Sequence, residues 1–81
     1  MDDLTNKTIK QFYYDTDEGN IIITKLEEKG KNWAEWWGHV EGYGEAIMLF
    51  GGEKIDNRED KQTADYCAFE YYDEIIDTKG V

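Results

Sequence analysis

W-A-E-W-W-G-H-V-E-G-Y-G-E-A-I-M-L-F-G-G, residues 33–52, is the stretch that decides the fold. A helical reading has support: Trp33, Trp36, Val40, Tyr43, Ile47 and Phe50 recur at alternating steps of three and four, and Asn32 with Glu35 resembles a capping box. Glycine opposes it. Gly38, Gly42 and Gly44 would lie inside that helix, each costing about 0.8–1 kcal/mol relative to Ala. The competing reading is a strand at 33–40, a Gly-rich turn at 41–45 and a strand at 46–50 ended by Gly51-Gly52. Two strands are preferred, with a short helix near 33–40 as the alternative, because strands here would extend a hairpin that precedes them.

That hairpin is expected over residues 8–28. Thr8 to Asp15 and Asn20 to Glu28 are rich in aromatic and β-branched residues and flank a loop containing Gly19. Alternation puts Ile22, Thr24 and Leu26 on one face and Ile21, Ile23 and Lys25 on the other. The pattern leaves open which face is buried. Residues 1–6 read as a flexible polar end.

Downstream, a helix is expected over 57–77. Ala64, Cys67, Ala68, Tyr71 and Ile75 fall on one stripe, which would be the core face. A rotation of about 100° per residue gathers Glu59, Tyr66, Glu70, Asp73, Glu74 and Asp77 on the opposite side, with no Lys or Arg among them. From Glu70 to Asp77 the carboxylates recur about every 3.5 Å along the axis at 1.5 Å per residue, close to the roughly 3.4 Å between phosphates on one strand of B-DNA. In an unbroken helix this row is costly. Glu70 with Glu74 and Asp73 with Asp77 are like-charge i,i+4 pairs, each unfavourable by about 0.2–0.5 kcal/mol, and the negative end of the helix dipole lies beneath them with Lys79 as its one nearby cation.

The whole therefore reads as a single small acidic α+β domain, 1–81, in which an antiparallel β-meander of three to four strands packs against one C-terminal α-helix. Nineteen Asp and Glu against nine Lys and Arg give a net charge of −10. Such a chain is repelled by bare nucleic acid and by anionic membranes and is drawn to basic protein surfaces. The beginning of the chain lacks a cationic and then apolar signal pattern, and the longest apolar run is Ala46 to Phe50, so a cytoplasmic protein is expected.

Catalytic chemistry finds little to work with. There is no Ser, and one each of His, Cys and Arg, so a Ser-His-Asp arrangement is excluded and Cys67 reads as a small buried thiol. No phosphate loop is present. Asp15, Asp17 and Glu18 fail the calcium-loop pattern, which from Asp15 would need Gly and Glu where Asn20 and Leu26 stand. His39 with Glu41 and Glu45 lacks a metal-ligand motif. No enzyme activity, cofactor or metal is expected.

Trp33, Trp36 and Trp37 are too close together for all to be buried in so small a core, and Trp37 is taken as the exposed member that would join the acidic stripe in binding a partner. In size, charge and aromatic content over its whole length the chain resembles the small acidic inhibitors that phages use against host DNA-binding enzymes and defence systems, including DNA mimics and anti-CRISPR proteins. That resemblance implies a binding protein that blocks the nucleic-acid surface of a basic, nucleic-acid-handling enzyme. Two alternatives stand beside it: an immunity or antitoxin-type protein neutralising a basic nuclease, and a small structural or assembly domain, such as a homodimer formed through its aromatic surface.

Overall fold

In a computed structural model that describes residues 7–53 and 59–80, Thr16 pairs with Gly19 across a two-residue turn. Gly19 has φ +112°, a conformation that costs glycine nothing. The Thr16 hydroxyl donates to the Gly19 carbonyl at 2.6 Å and accepts the Glu18 amide at 3.1 Å, which ties the turn together from within. Strands β1 (Lys7–Thr16) and β2 (Gly19–Glu28) leave this turn, and β3 (Ala34–Val40) and β4 (Ile47–Gly52) complete a four-stranded antiparallel meander in the order β1-β2-β3-β4. Residues 33–52 are thus strands, and Glu35, in place of a helix cap, accepts the indole N–H groups of Trp33 and Trp37 at 3.2 and 3.1 Å.

Two features of β4 differ from the expected pattern. Gly51 and Gly52 do not end it; they pair with Glu35 and Ala34. A Cβ on Gly51 would lie 3.3 Å from the Trp33 ring and 3.0 Å from the Met48 methyl, so the missing side chain lets the indole lie over the strand. Trp36 faces Phe50 while Trp37 faces Met48, which leaves Leu49 as the extra residue of a β-bulge.

The alternation left open in β2 resolves with Ile21 and Ile23 fully buried on the face that the helices cover. Trp36 and Val40 join them from β3. Above this face lie α1 (Asp60–Glu70) and α2 (Tyr72–Asp77), closed by a 3-10 turn at Thr78–Gly80. The one expected helix is therefore two, interrupted at Tyr71 with φ −108° and ψ 17°. The backbone ladder is kept at Tyr71 itself, whose N–H donates to Cys67 and whose carbonyl accepts from Ile75, both at 3.0 Å. The bend lets α1 lie across β2 while α2 settles on β3. There Gly38 makes room: a Cβ at that position would stand 2.8 Å from Ile75 Cδ1. Ala64, Cys67 and Ile75 are fully buried, and Ala68 and Tyr71 pack half-buried at the margin. The expected flexible end, 1–6, and the expected helix start at residue 57 lie outside the described residues.

A charged seam fixes α1 to the sheet. Asp60 accepts from Lys10 at 2.7 Å and from Lys25 at 2.9 Å, and Lys25 also meets Glu27 at 2.7 Å. Burial alone would push the Asp60 carboxyl up, but the hydrogen bonds from Lys10 and Lys25 outweigh it and hold the group below its ordinary 3.8. Lys25 is likewise destabilised as a cation by burial, yet its bonds to Glu27 and Asp60 raise it above 10.5. Asp60→Asn is expected to cost about 1 kcal/mol at neutral pH, a value kept small because Lys10 is largely exposed. For a lowered carboxyl the contribution is present above 3.8 and fades as pH falls through the folded value. Urea titrations of parent and variant should therefore converge in acid, where protonated Asp60 and Asn are near-isosteres. The Lys25 contribution is present below 10.5 and is lost as pH rises through its higher folded value.

Candidate protein-interaction face

Burying Ala64, Cys67 and Ile75 against the sheet dictates what faces outward. Glu59, Tyr66, Glu70, Asp73, Glu74 and Asp77 are all exposed, the first three at α1 and the last three on α2. Glu59 is the N-cap of α1, extended at φ −68° and ψ 152°, and makes no side-chain cap bond. The break at Tyr71 changes the electrostatics expected of an unbroken helix. Asp73 and Glu74 occupy the first turn of α2, where a carboxylate is favoured by the helix dipole. The stripe is therefore cheaper to carry than a single helix would make it.

The cations are deployed elsewhere. Besides the Asp60 seam, Lys61 pairs with Asp65 at 2.7 Å and Lys31 with Glu28 at 3.8 Å. Lys79, expected to offset the acidic helix end, turns down to the β1–β2 turn, where it donates to the Glu18 carbonyl at 3.0 Å and meets the Glu18 carboxylate at 3.3 Å. Its ammonium also lies 5.5 Å from the centroid of the Tyr43 ring. Among the described residues, none of these lysines reaches Glu70, Asp73, Glu74 or Asp77. The field of the row is felt by its neighbour Tyr71, whose phenol is raised first by burial and further by surrounding groups that include Glu74 and Glu70.

Aromatic groups stand among these carboxylates. Phe69 is 81 % exposed on α1, three residues from Tyr66 and next to Glu70. Its departure from the core spacing of 64, 67, 68, 71 and 75 is the signal for it in the sequence. Tyr66 meets Tyr71 edge-on at 6.4 Å, and stacked contacts of 6.4, 6.4 and 6.3 Å continue through Phe50 and Trp36 to Phe12. This ladder anchors the Tyr66 ring to the core.

Trp37 does not join the stripe. Gly38 points at Ile75, so its neighbour Trp37 points to the other sheet face, half-buried and bonded to Glu35. The more exposed indole is Trp33, on the same far side. The stripe therefore lies on the opposite side of the sheet from Trp33 and Trp37, while Trp36 is buried beneath the helices. Among the described residues no three His, Cys, Asp or Glu side chains converge as a metal site would require, and no helix is long and apolar enough to cross a membrane. No family model, curated protein sequence or solved structure matches the chain.

Proposed function

We propose that this protein is an acidic inhibitor that occupies a basic nucleic-acid-binding surface on a nucleic-acid-handling enzyme, in the manner of a phage DNA mimic or anti-CRISPR protein. The supporting observation is charge segregation. The described lysines on the helices and central sheet are committed to Asp60, Asp65, Glu27 and Glu18, and Glu70, Asp73, Glu74 and Asp77 are left as an exposed row without a cation among the described residues. A solvated face in a mixed-charge protein has no need of such sorting. A phosphate surrogate does, because its attraction to a basic groove depends on an unneutralised linear array. Tyr66 and Phe69 supply apolar contact that a bare charge row would lack.

The test is the pair Glu74→Gln and Asp77→Asn. It keeps side-chain shape and removes two charges. Stability should change by less than about 0.5 kcal/mol, since relief of the like-charge pairs is offset by the loss of Glu74 from the first turn of α2. Binding to a basic nucleic-acid-handling enzyme captured from a host lysate should weaken about tenfold and lose part of its salt dependence, and duplex or guide nucleic acid should compete with the parent protein. Equal binding by the variant, or simultaneous binding of protein and nucleic acid, would end this reading.

A further inference from the structure

We infer that the sheet face turned away from the helices binds a second copy of this chain, forming a two-fold dimer. No described element packs on that face, yet its centre is uncharged in a chain that is 35 % charged. Ile9 is 60 % and Tyr13 59 % exposed there, and Met48 and Trp33 are also exposed. An apolar, aromatic centre with charge at its rim is the anatomy of a protein interface.

The register identifies the occupant. Gln11 pairs with Thr24, Thr24 with Trp37 and Trp37 with Met48, so these four uncharged side chains form one row straight across the sheet. A two-fold axis laid along that row stacks two sheets face to face with strand directions reversed. It carries Ile9 and Glu35 on one side of the row onto Tyr13 and His39 of the copy, with half-buried Leu26 between them over the buried Ile22. Apolar meets apolar, and a carboxylate meets an imidazole. One step further out it sets Lys7 over Asp15 of the copy. Beyond the strands the same match continues, with Lys29 and Lys31 at the β2–β3 turn facing Asp17, Glu18 and Glu41 at the opposite end. A surface that is its own complement under one rotation is the signature of an isologous contact. Four strand widths and about seven residues of strand give roughly 450 Å² per copy, at the lower limit for a specific interface, so a dissociation constant of about 1–100 μM is expected.

Sedimentation equilibrium of the full chain, run from about 1 μM to 1 mM, tests this. Ile9→Lys with Tyr13→Lys places two cations in the apolar centre at exposed positions, so the fold should persist by circular dichroism while dimerisation falls at least about 100-fold. The rim gives a more specific readout. Lys7→Asp and Asp15→Lys should each weaken self-association about five- to tenfold, because each sets like charges together at both symmetry-related contacts. Mixed with each other, the two variants should form a heterodimer at about parental strength, since both contacts then join opposite charges. A parent monomeric at 1 mM, a dimer unaffected by the two lysines, or variants that do not pair with each other would overturn the inference.

Discussion

Ile75→Ala is expected to destabilise the protein by about 2–5 kcal/mol. Ile75 is fully buried where α2 meets the sheet, and an 81-residue domain has only about 4–12 kcal/mol in total. The variant should therefore stand at the edge of unfolding, read as a large fall in the urea midpoint at unchanged slope. The effect should be local to the gap over Gly38. A methyl there would contact Ile75 Cγ1 at 2.9 Å in the parent, so Gly38→Ala should be costly alone and nearly neutral, or restoring, in the Ile75→Ala background. Additive costs in that cycle would mean that α2 does not seat on β3 as described.

Phe69→Ala is expected to leave the urea midpoint unchanged or slightly raised, because the ring is 81 % exposed and alanine is the better helix former. Binding to the basic partner should fall by about 30-fold or more, the loss typical of an aromatic hot spot. Phe69→Tyr should retain most of the affinity. These two responses separate specific docking from generic attraction between an acidic stripe and a polycation, for which Phe69→Ala would be silent. Titration calorimetry on the captured partner, with a polylysine control, reads the difference.

Much of the architecture is legible in local chemistry. The β-branched runs around Gly19 announce the first hairpin, and the glycines at 38, 42 and 44 tip residues 33–52 from helix to strand. Ala64, Cys67 and Ile75 give the buried side of the helical layer by spacing alone. What escaped are properties of register and of the third dimension. The bulge at Leu49 exists only once β3 and β4 are aligned. The interruption at Tyr71 has no Gly or Pro to signal it and follows from seating two helical segments on one sheet. Lys79 is close to the acidic stripe in sequence, but 61 residues away Glu18 is its neighbour in space. The placement of Trp37 failed for a simpler reason: strand parity was known, but not which parity the helices would cover.

The layering of helices on one face of the sheet alone has a consequence for valence. The acidic row and the uncharged sheet face lie back to back, so occupying one does not obstruct the other. A dimer closed through its sheets would turn both rows outward in opposite directions. One groove could not receive both. Each dimer would instead bridge two target molecules, with a stoichiometry of two to two, and above the dimer's dissociation constant the protein would cross-link its targets as well as block them, a change light scattering would register as a step in mass.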